Sequence, residues 1–382
     1  MVMLPFINEE NTLWEYLKTA GKPVVLYGTG DGADKVLARL AETGVPVSGI
    51  FASDEFVRGQ QFHGFTVQAY SELLALREKV IVLIAFASEL PDVMERFYKL
   101  ASVHETYAPH VPVFSGEETV TAVWIKKYER ELQTVYERLA DAVSRETFAS
   151  VLNYKLSGRL SYLQACTTNR AEDLRTIFSF GGEETYLDLG AYNGDTVQEF
   201  LQLTRGRYKK IVALEPDPKN YKKLTDFVRQ YELKNVTCLQ AGVWNDCGSL
   251  ELTGNGGRQS TFWEADRSGF ATQNLSQTCS MKKKIKKQQV TVVSVDAVLG
   301  NDHADYIKFD VEGVEKEALE GAAGHLAPDG NGTLPKLLVA AYHHDEDLFA
   351  LPLLLWKLQP EYKIYLRKHP YVPAWEINIF AK

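Results

Sequence analysis

Two short stretches of this chain place glycines and carboxylates where chemistry could be done: Tyr186-Leu-Asp-Leu-Gly-Ala-Tyr-Asn-Gly-Asp-Thr196 and Ile211-Val-Ala-Leu-Glu-Pro-Asp217. The first reads as a buried strand running into a glycine loop and then a helix. The second reads as a buried strand ending in an acid. Gly190 and Gly194 let the backbone turn and come close to a ligand. The carboxylate of Glu215, with Pro216 and Asp217 beside it, falls at a strand's carboxyl end, where it can accept from both hydroxyls of a ribose. The loop has neither the Gly-Lys-Ser/Thr of a phosphate loop nor the Gly-x-Gly-x-x-Gly of dinucleotide binders. Asp188 and Asp195 instead put negative charge where a phosphate would be repelled.

The ligand these residues favour is therefore a cationic nucleoside without phosphate. S-adenosylmethionine (SAM), with its sulfonium and its ammonium, has that chemistry. Asp188 could accept from the ammonium; an aspartate that only bonds nearby loop amides is the plainer reading. Asn193, Asp195 and Thr196 can contact the ligand or simply cap the next helix. Ala241-Gly-Val243 follows the next predicted strand and could line an adenine site through a backbone N–H, with Asp246 a further partner.

A transferred group needs a second set of residues. Asp310, in Lys308-Phe-Asp-Val-Glu-Gly313, ends another predicted strand and could take a proton from an acceptor hydroxyl. Glu312, His343 and His344 are further candidates, and a histidine with a pKa near ~6.5 suits that task around neutral pH. Asp310, Glu312, His343, His344 and Asp345 could also hold a divalent metal, but no metal site is assigned.

The elements that must position these residues follow from the apolar pattern. In the carboxyl half, strands are expected at Thr185–Leu189, Lys210–Leu214, Val236–Gln240, Val290–Val295, Tyr306–Phe309, Lys336–Ala341, Tyr362–Arg367 and Glu376–Ala381. Helices are expected to begin near Asp195, Pro218, Val314 and Glu346. Strands alternating with helices give a parallel sheet with crossovers. The short connection between the last two strands predicts an antiparallel pair closing that sheet.

In the amino half, residues 20–115 repeat the strand–glycine loop–helix pattern. Strands are expected at Val24–Tyr27, Val47–Phe51, Val80–Ala87 and Thr106–Tyr107, with a turn at Gly64. The expected organisation is a Rossmann-like domain over 1–116, a helical connector over 117–181 and a catalytic domain over 182–382. The loop Gly28-Thr-Gly-Asp-Gly-Ala33 and Asp54 resemble the start of a dinucleotide fingerprint, a weak signal on its own.

Composition bounds the partners. A 382-residue chain with 45% hydrophobic and 24% charged residues is that of an ordinary globular protein. A net charge of −8 argues against a sequence-independent nucleic-acid binder. The basic run Met281-Lys-Lys-Lys-Ile-Lys-Lys287 reads as a solvated loop or hairpin tip. Thr253-Gly-Asn-Gly-Gly-Arg-Gln-Ser-Thr-Phe-Trp263 reads equally as a hairpin or as a substrate-contacting lid. The longest apolar run, Val80–Ala87, is far short of the ~20 residues that span a bilayer, so no membrane insertion is expected. Cys166, Cys238, Cys247 and Cys279 match no zinc spacing and read as free thiols in a reducing cytoplasm. The amino terminus lacks the pattern of a signal peptide.

The motifs carry a resemblance. Leu187–Thr196, Glu215-Pro216, Ser294-Val-Asp-Ala-Val-Leu299, Tyr306–Glu315, Leu319-Glu-Gly-Ala322, Tyr342-His-His-Asp-Glu-Asp-Leu348 and Tyr365-Leu-Arg-Lys-His369 resemble, in order, the blocks of the FkbM family of SAM-dependent methyltransferases. The resemblance covers about residues 182–382. It implies a class I methyltransferase fold, a Rossmann-like α/β sheet with an antiparallel last strand. It also implies methyl transfer from SAM, most often onto a hydroxyl of a sugar or secondary metabolite. One departure from the general methyltransferase loop, Asp-x-Gly-x-Gly-x-Gly, is Tyr192 at the middle glycine, which narrows the approach to the ligand. The amino-terminal domain, through Gly64-Phe-Thr-Val67, resembles nucleotide-sugar-binding domains of some sugar-modifying enzymes.

The expected partner is then a small-molecule or carbohydrate acceptor, with a homodimer left open. Two other readings remain at this point. One is a non-catalytic nucleotide-binding scaffold. The other is an NAD(P)-dependent oxidoreductase that uses the amino-terminal domain.

Overall fold

Val24-Val-Leu-Tyr27 and Ile81-Val-Leu-Ile84 are apolar and buried at every position, as parallel strands covered on both faces must be. They lie in the first of three sheets in the computed structural model, which describes residues 4–114, 116–254, 261–263 and 286–382. The chain divides into two compact units. One comprises Met1–Arg170, Ala341–Leu353 and Ile364–Asn378, the other Ala171–Ala340, Leu354–Lys363 and Ile379–Lys382.

The first sheet follows a short helix α1 (Leu13–Leu17). Its elements are β1 (Val24–Tyr27), α2 (Asp31–Thr43), β2 (Val47–Ala52), β3 (Gln61–Phe62), β4 (Phe65–Ala69), α3 (Tyr70–Ala75), β5 (Ile81–Ile84), α4 (Pro91–Val103) and β6 (Glu105–Tyr107). The strand order is β3-β4-β2-β1-β5-β6. All pairs are parallel except β3 with β4. That hairpin is an addition to the turn expected at Gly64. His63 and Gly64, both with positive φ, reverse the chain there. Its strands are short and largely exposed, so they lack the apolar run that betrays a strand in sequence.

Five helices follow: α5 (Ala122–Lys127), α6 (Glu129–Arg138), α7 (Ala142–Ser157), α8 (Leu160–Cys166) and α9 (Arg170–Ile177). Helix α7 is capped by the Asp141 side chain and stopped by Gly158 in the left-handed conformation.

The remaining elements are β7 (Thr185–Leu189), α10 (Asp195–Thr204), β8 (Lys210–Leu214), α11 (Pro218–Gln230), β9 (Val236–Leu239), β10 (Gly242–Val243), β11 (Gly248–Gly254), β12 (Thr261–Trp263), β13 (Lys286–Val293), α12 (Val295–Leu299), β14 (Tyr306–Phe309), α13 (Glu315–Glu320), β15 (Lys336–Ala340), α14 (Asp347–Leu358), β16 (Ile364–Lys368) and β17 (Ile377–Ala381). Seven strands form one sheet in the order β16-β17-β15-β14-β7-β8-β9. The pairs among β15, β14, β7, β8 and β9 are parallel. Lys363 and Lys382 exchange backbone hydrogen bonds, which makes β16 and β17 the expected antiparallel pair. An aromatic cluster packs on this sheet. Tyr186 on β7 stacks on Tyr306 of β14, with ring centroids 4.8 Å apart, and on Phe200 of α10 at 4.5 Å.

The strand expected at Val290–Val295 is longer and lies outside that sheet. It is β13, in a second sheet ordered β10-β13-β11-β12. β11 and β12 pair antiparallel, so the ends of the Thr253–Trp263 stretch form a ladder, while residues 255–260 lie outside the described residues. Most of the basic run at 281–287 and Cys279 also lie outside them. Cys166, Cys238 and Cys247 are free. Among the described residues, no helix is long and apolar enough to cross a membrane.

Candidate functional site

Strands β14, β7 and β8 are neighbours in the main sheet. Their carboxyl ends lead into Asp310, the Gly190–Asp195 loop and Glu215, respectively. This is the edge at which open α/β sheets bind ligands. The register sets Lys308 of β14 directly opposite Asp188 of β7.

Asp188 is fully buried. Its Oδ2 accepts from Thr196 Oγ1 at 2.5 Å, and its Oδ1 lies 3.4 Å from Lys308 Nζ. Oδ1 accepts no hydrogen bond among the described residues. Burial raises the carboxyl above its usual range, against the pull of Lys308 and Thr196.

The glycine loop is fitted tightly to its surroundings. Gly190 has φ +82°, and a Cβ there would stand 1.9 Å from the Asp310 carbonyl oxygen. Its N–H and that of Ala191 both donate to Leu214 O, binding the loop to the end of β8. Gly194 has φ +93°, and a Cβ there would meet the Phe227 ring at 2.8 Å. Between them Tyr192 takes φ +46°, a conformation few side chains adopt. Lys223 Nζ sits 5.4 Å from its ring centroid. Asn193 Oδ1 accepts from the Asp195 N–H, and Asp195 Oδ1 from the Thr196 N–H, so both side chains shape the start of α10.

Glu215 is 6% exposed and is aimed by two amides. Tyr192 N donates to Oε2 and Asp217 N to Oε1, each at 2.9 Å. Burial pushes its pKa up to about 7, although both N–H bonds work in the other direction. Asp217 caps α11, its Oδ1 accepting from Lys219 N and Asn220 N, and Pro218 occupies the first turn. Ala241, Gly242 and Val243 are buried at the exit of β9, the next strand beyond β8.

Asp310 is more open, with its side chain 34% exposed and its Oδ2 3.6 Å from Lys308 Nζ. The turn after it bends through Glu312 at φ +60° and Gly313 at φ +98°. Glu315, 1% exposed, accepts from Val311 N at 2.9 Å and Gly313 N at 3.4 Å.

His343 and His344 belong to the first unit, Asp310 to the second. His343 is buried beside the Tyr342 ring. His344 bonds Glu117 through Nδ1 and packs on Phe114. Asp345 lies between a lysine and a histidine. Lys155 Nζ is 2.5 Å from its Oδ1, and His110 Nε2 is 2.9 Å from its Oδ2. Burial alone would raise this carboxyl, but His110 and Lys155 outweigh burial and hold it below the usual range. Asp345, offered by the sequence as a metal ligand, is thus engaged by Lys155 and His110 of the chain itself.

The structure therefore brings Asp188, Gly190, Tyr192, Gly194, Thr196, Glu215 and Asp310 into one connected network. Sequence reasoning left out two of its members, Lys308 and Glu315. The available signal for Lys308 was a charge inside an apolar strand, two residues before Asp310 and hence on the same face. In the amino-terminal sheet, two of the three glycines of Gly28–Ala33 meet neighbours directly. A Cβ at Gly28 would stand 2.6 Å from the Phe86 ring, and one at Gly32 2.5 Å from Ala85 O. Asp54 Oδ1 accepts from Ser71 N.

The second-unit residues fit a cationic nucleoside. Asp188 Oδ1 is a buried acceptor with spare capacity. Each Glu215 oxygen uses one N–H bond and retains a lone pair for a hydroxyl donor.

Comparison with known proteins agrees with this chemistry. Residues 188–334 match the model of a family described as methyltransferase FkbM domain. No curated protein sequence matches the chain. The crystal structure of methyltransferase FkbM from Methylobacillus flagellatus KT aligns over 99% of this chain and 95% of its own, with a TM-score of 0.69 and 20% identity, a likeness of fold. More distant are an rRNA methylase from Streptococcus thermophilus (TM-score 0.33, 11% identity, 59% of this chain and 96% of that one) and Aeropyrum pernix fibrillarin with natively bound SAM (0.31, 12%, 56% and 73%). Residues 188–334 are thus a methyltransferase FkbM domain, and the chain is a SAM-dependent methyltransferase.

Proposed function

We propose that this enzyme methylates a hydroxyl oxygen of a sugar or natural product, using the site at the carboxyl ends of β7, β8 and β14. The observation that carries the reading is the contrast between two carboxylates on one lysine. Asp188 is fully buried, whereas the Asp310 side chain is 34% exposed. Bound SAM supplies a methyl carbon activated by its sulfonium. In this reading Glu215 holds the ribose hydroxyls, and the buried Asp188 acts on the ammonium end through water or the loop backbone. The Gly190–Gly194 backbone holds the methionine portion, and Ala241–Val243 flank the adenine. Pro216 and Asp217 fix the peptide that presents Glu215.

Asp310 accepts a hydrogen bond from the acceptor O–H. As the new O–C bond forms, that proton must leave, and a carboxylate in hydrogen-bond reach can take it. Alignment of the hydroxyl supplies much of the rate of an in-line displacement. His343 and His344 are the other candidate proton acceptors.

The test is a product-release assay for S-adenosylhomocysteine across monosaccharides, oligosaccharides, polyhydroxylated aromatics, amines and thiols. Turnover with hydroxyl compounds, lost in Asp310→Asn while SAM affinity stays within about 3-fold, is the expected result. Turnover confined to amines or thiols overturns the hydroxyl assignment.

A further inference from the structure

Lys308 has been given no part in the chemistry so far, yet it touches the glycine loop and both aspartates of the proposed site. Its side chain is 4% exposed. Its ammonium donates to Gly190 O at 3.1 Å, and lies 3.4 Å from Asp188 Oδ1 and 3.6 Å from Asp310 Oδ2. An ammonium has three protons and no lone pair, so it can serve three acceptors at once.

We propose that Lys308 is a positioning residue that locks the cofactor loop to the acceptor carboxylate. The proposal rests on the site reading above. The Gly190 peptide is held on three sides. Its N–H is bonded to Leu214 O, its Cα abuts the Asp310 carbonyl, and its own carbonyl accepts from Lys308. Only the third hold reaches onward to the Asp310 side chain. A single buried cation thus fixes the bend that faces the methyl donor and the carboxylate that faces the methyl acceptor.

Charge gives the same result. Asp188, Asp310 and Glu215 converge on this region, and burial penalises each unpaired negative charge. With Lys308 present, the Asp310 carboxylate has a cation 3.6 Å from its Oδ2. Without it, Asp188 and Asp310 lose the cation that lies 3.4 and 3.6 Å from their oxygens.

Lys308→Met keeps the length of the side chain and removes the charge. It should lower kcat at saturating SAM and acceptor by roughly 10- to 100-fold, the scale of one lost charge-assisted hydrogen bond. The acceptor KM should move far less. Lys308→Arg should recover part of kcat, because the charge returns in a different geometry. A double-mutant cycle in kcat with Asp310→Asn should be strongly non-additive.

If Lys308→Met does not fold, Asp188→Asn with Lys308→Met removes both members of the sealed pair and still leaves Asp310 without its cation. That variant should bind SAM more weakly and remain slow at saturating SAM. Wild-type kcat in either variant, or additive effects with Asp310→Asn, overturns the proposal. The acceptor is whichever compound the wild-type enzyme turns over, so an error in the hydroxyl reading shows in the wild-type screen and not in this cycle.

Discussion

The Tyr192 amide donates to Glu215 Oε2 at 2.9 Å, so the loop leaving β7 is tied to the residue that ends β8. The tie is made by the residue at which the usual loop glycine is missing. Tyr192 reaches Glu215 through its backbone in a left-handed conformation, so its side chain is not what makes the bond. The first prediction follows. Glu215→Ala removes the ribose acceptor and should raise the SAM dissociation constant about 10- to 100-fold, as loss of charged hydrogen bonds does. Glu215→Gln should fare little better, since its NH2 group would point at one of the two amides that now donate to the carboxylate. Calorimetry decides the matter, and unchanged affinity removes Glu215 from the cofactor site.

The same residue predicts a pH dependence of opposite sign for stability and for binding. Burial raises the Glu215 carboxyl from its ordinary 4.5 to about 7. A raised carboxyl binds its proton more tightly in the folded than in the unfolded state. Its favourable contribution is therefore complete below pH 4.5 and lost as pH rises through about 7. The ionised form is the better acceptor for ribose hydroxyls, so SAM affinity should rise over that same interval. Thermal unfolding of the ligand-free enzyme and SAM titrations, each from pH 5.5 to 8.5, check both halves. Glu215→Gln should flatten both curves.

Gly190→Ala tests how closely the loop is fitted. The new methyl would lie 1.9 Å from a backbone oxygen, and its φ of +82° strains any L side chain. Backbone cannot step aside as the end of a flexible side chain can. A loss of at least about 2 kcal/mol in denaturant unfolding is expected, since positive φ and overpacking each cost about 1–3 kcal/mol. Gly30→Ala in the amino-terminal sheet is the control. It also has positive φ, +118°, but nothing lies within 4 Å of the added carbon. It should cost less, and equal losses would show that strain alone, without the contact, sets the price.

Much of this arrangement was legible in the sequence, for identifiable reasons. Fully apolar strands such as β1 and β5 announce a parallel sheet, and Gly190, Gly194, Glu215 and Asp310 stand at strand ends where topology brings them together. Helix α11 was visible through Asp217 and Pro218, because capping is a local matter. Other parts depend on pairing that no local pattern encodes. The β3–β4 hairpin is short and exposed, and β13 looks like a strand of the main sheet until its partner β11 is known. Lys308 reads as an exposed charge unless its register with Asp188 is available. The partners of Asp345 are 190 and 235 positions away, and nothing about a histidine or lysine in isolation marks it as one of them.

That last group supports the final prediction. Asp345 follows the two candidate histidines and is buried with Lys155 and His110, whose side chains are 2% and 10% exposed. Replacing Asp345 by Ala strands a buried ammonium, which typically costs about 3–5 kcal/mol. Replacing both charges, Asp345→Leu with Lys155→Met, should recover most of that loss, because a pair of apolar groups needs no compensation. The pH dependence has a defined sign. Asp345 is held below its usual range, and burial lowers His110 from its ordinary 6.5. Both groups therefore contribute stability at neutral pH that is lost on acidification, beginning with His110. The wild-type protein should lose stability between pH 7 and pH 5 more steeply than a His110→Gln variant. Denaturant melts at the two pH values measure this directly, and parallel slopes would mean that His110 titrates normally and is not sealed against Asp345.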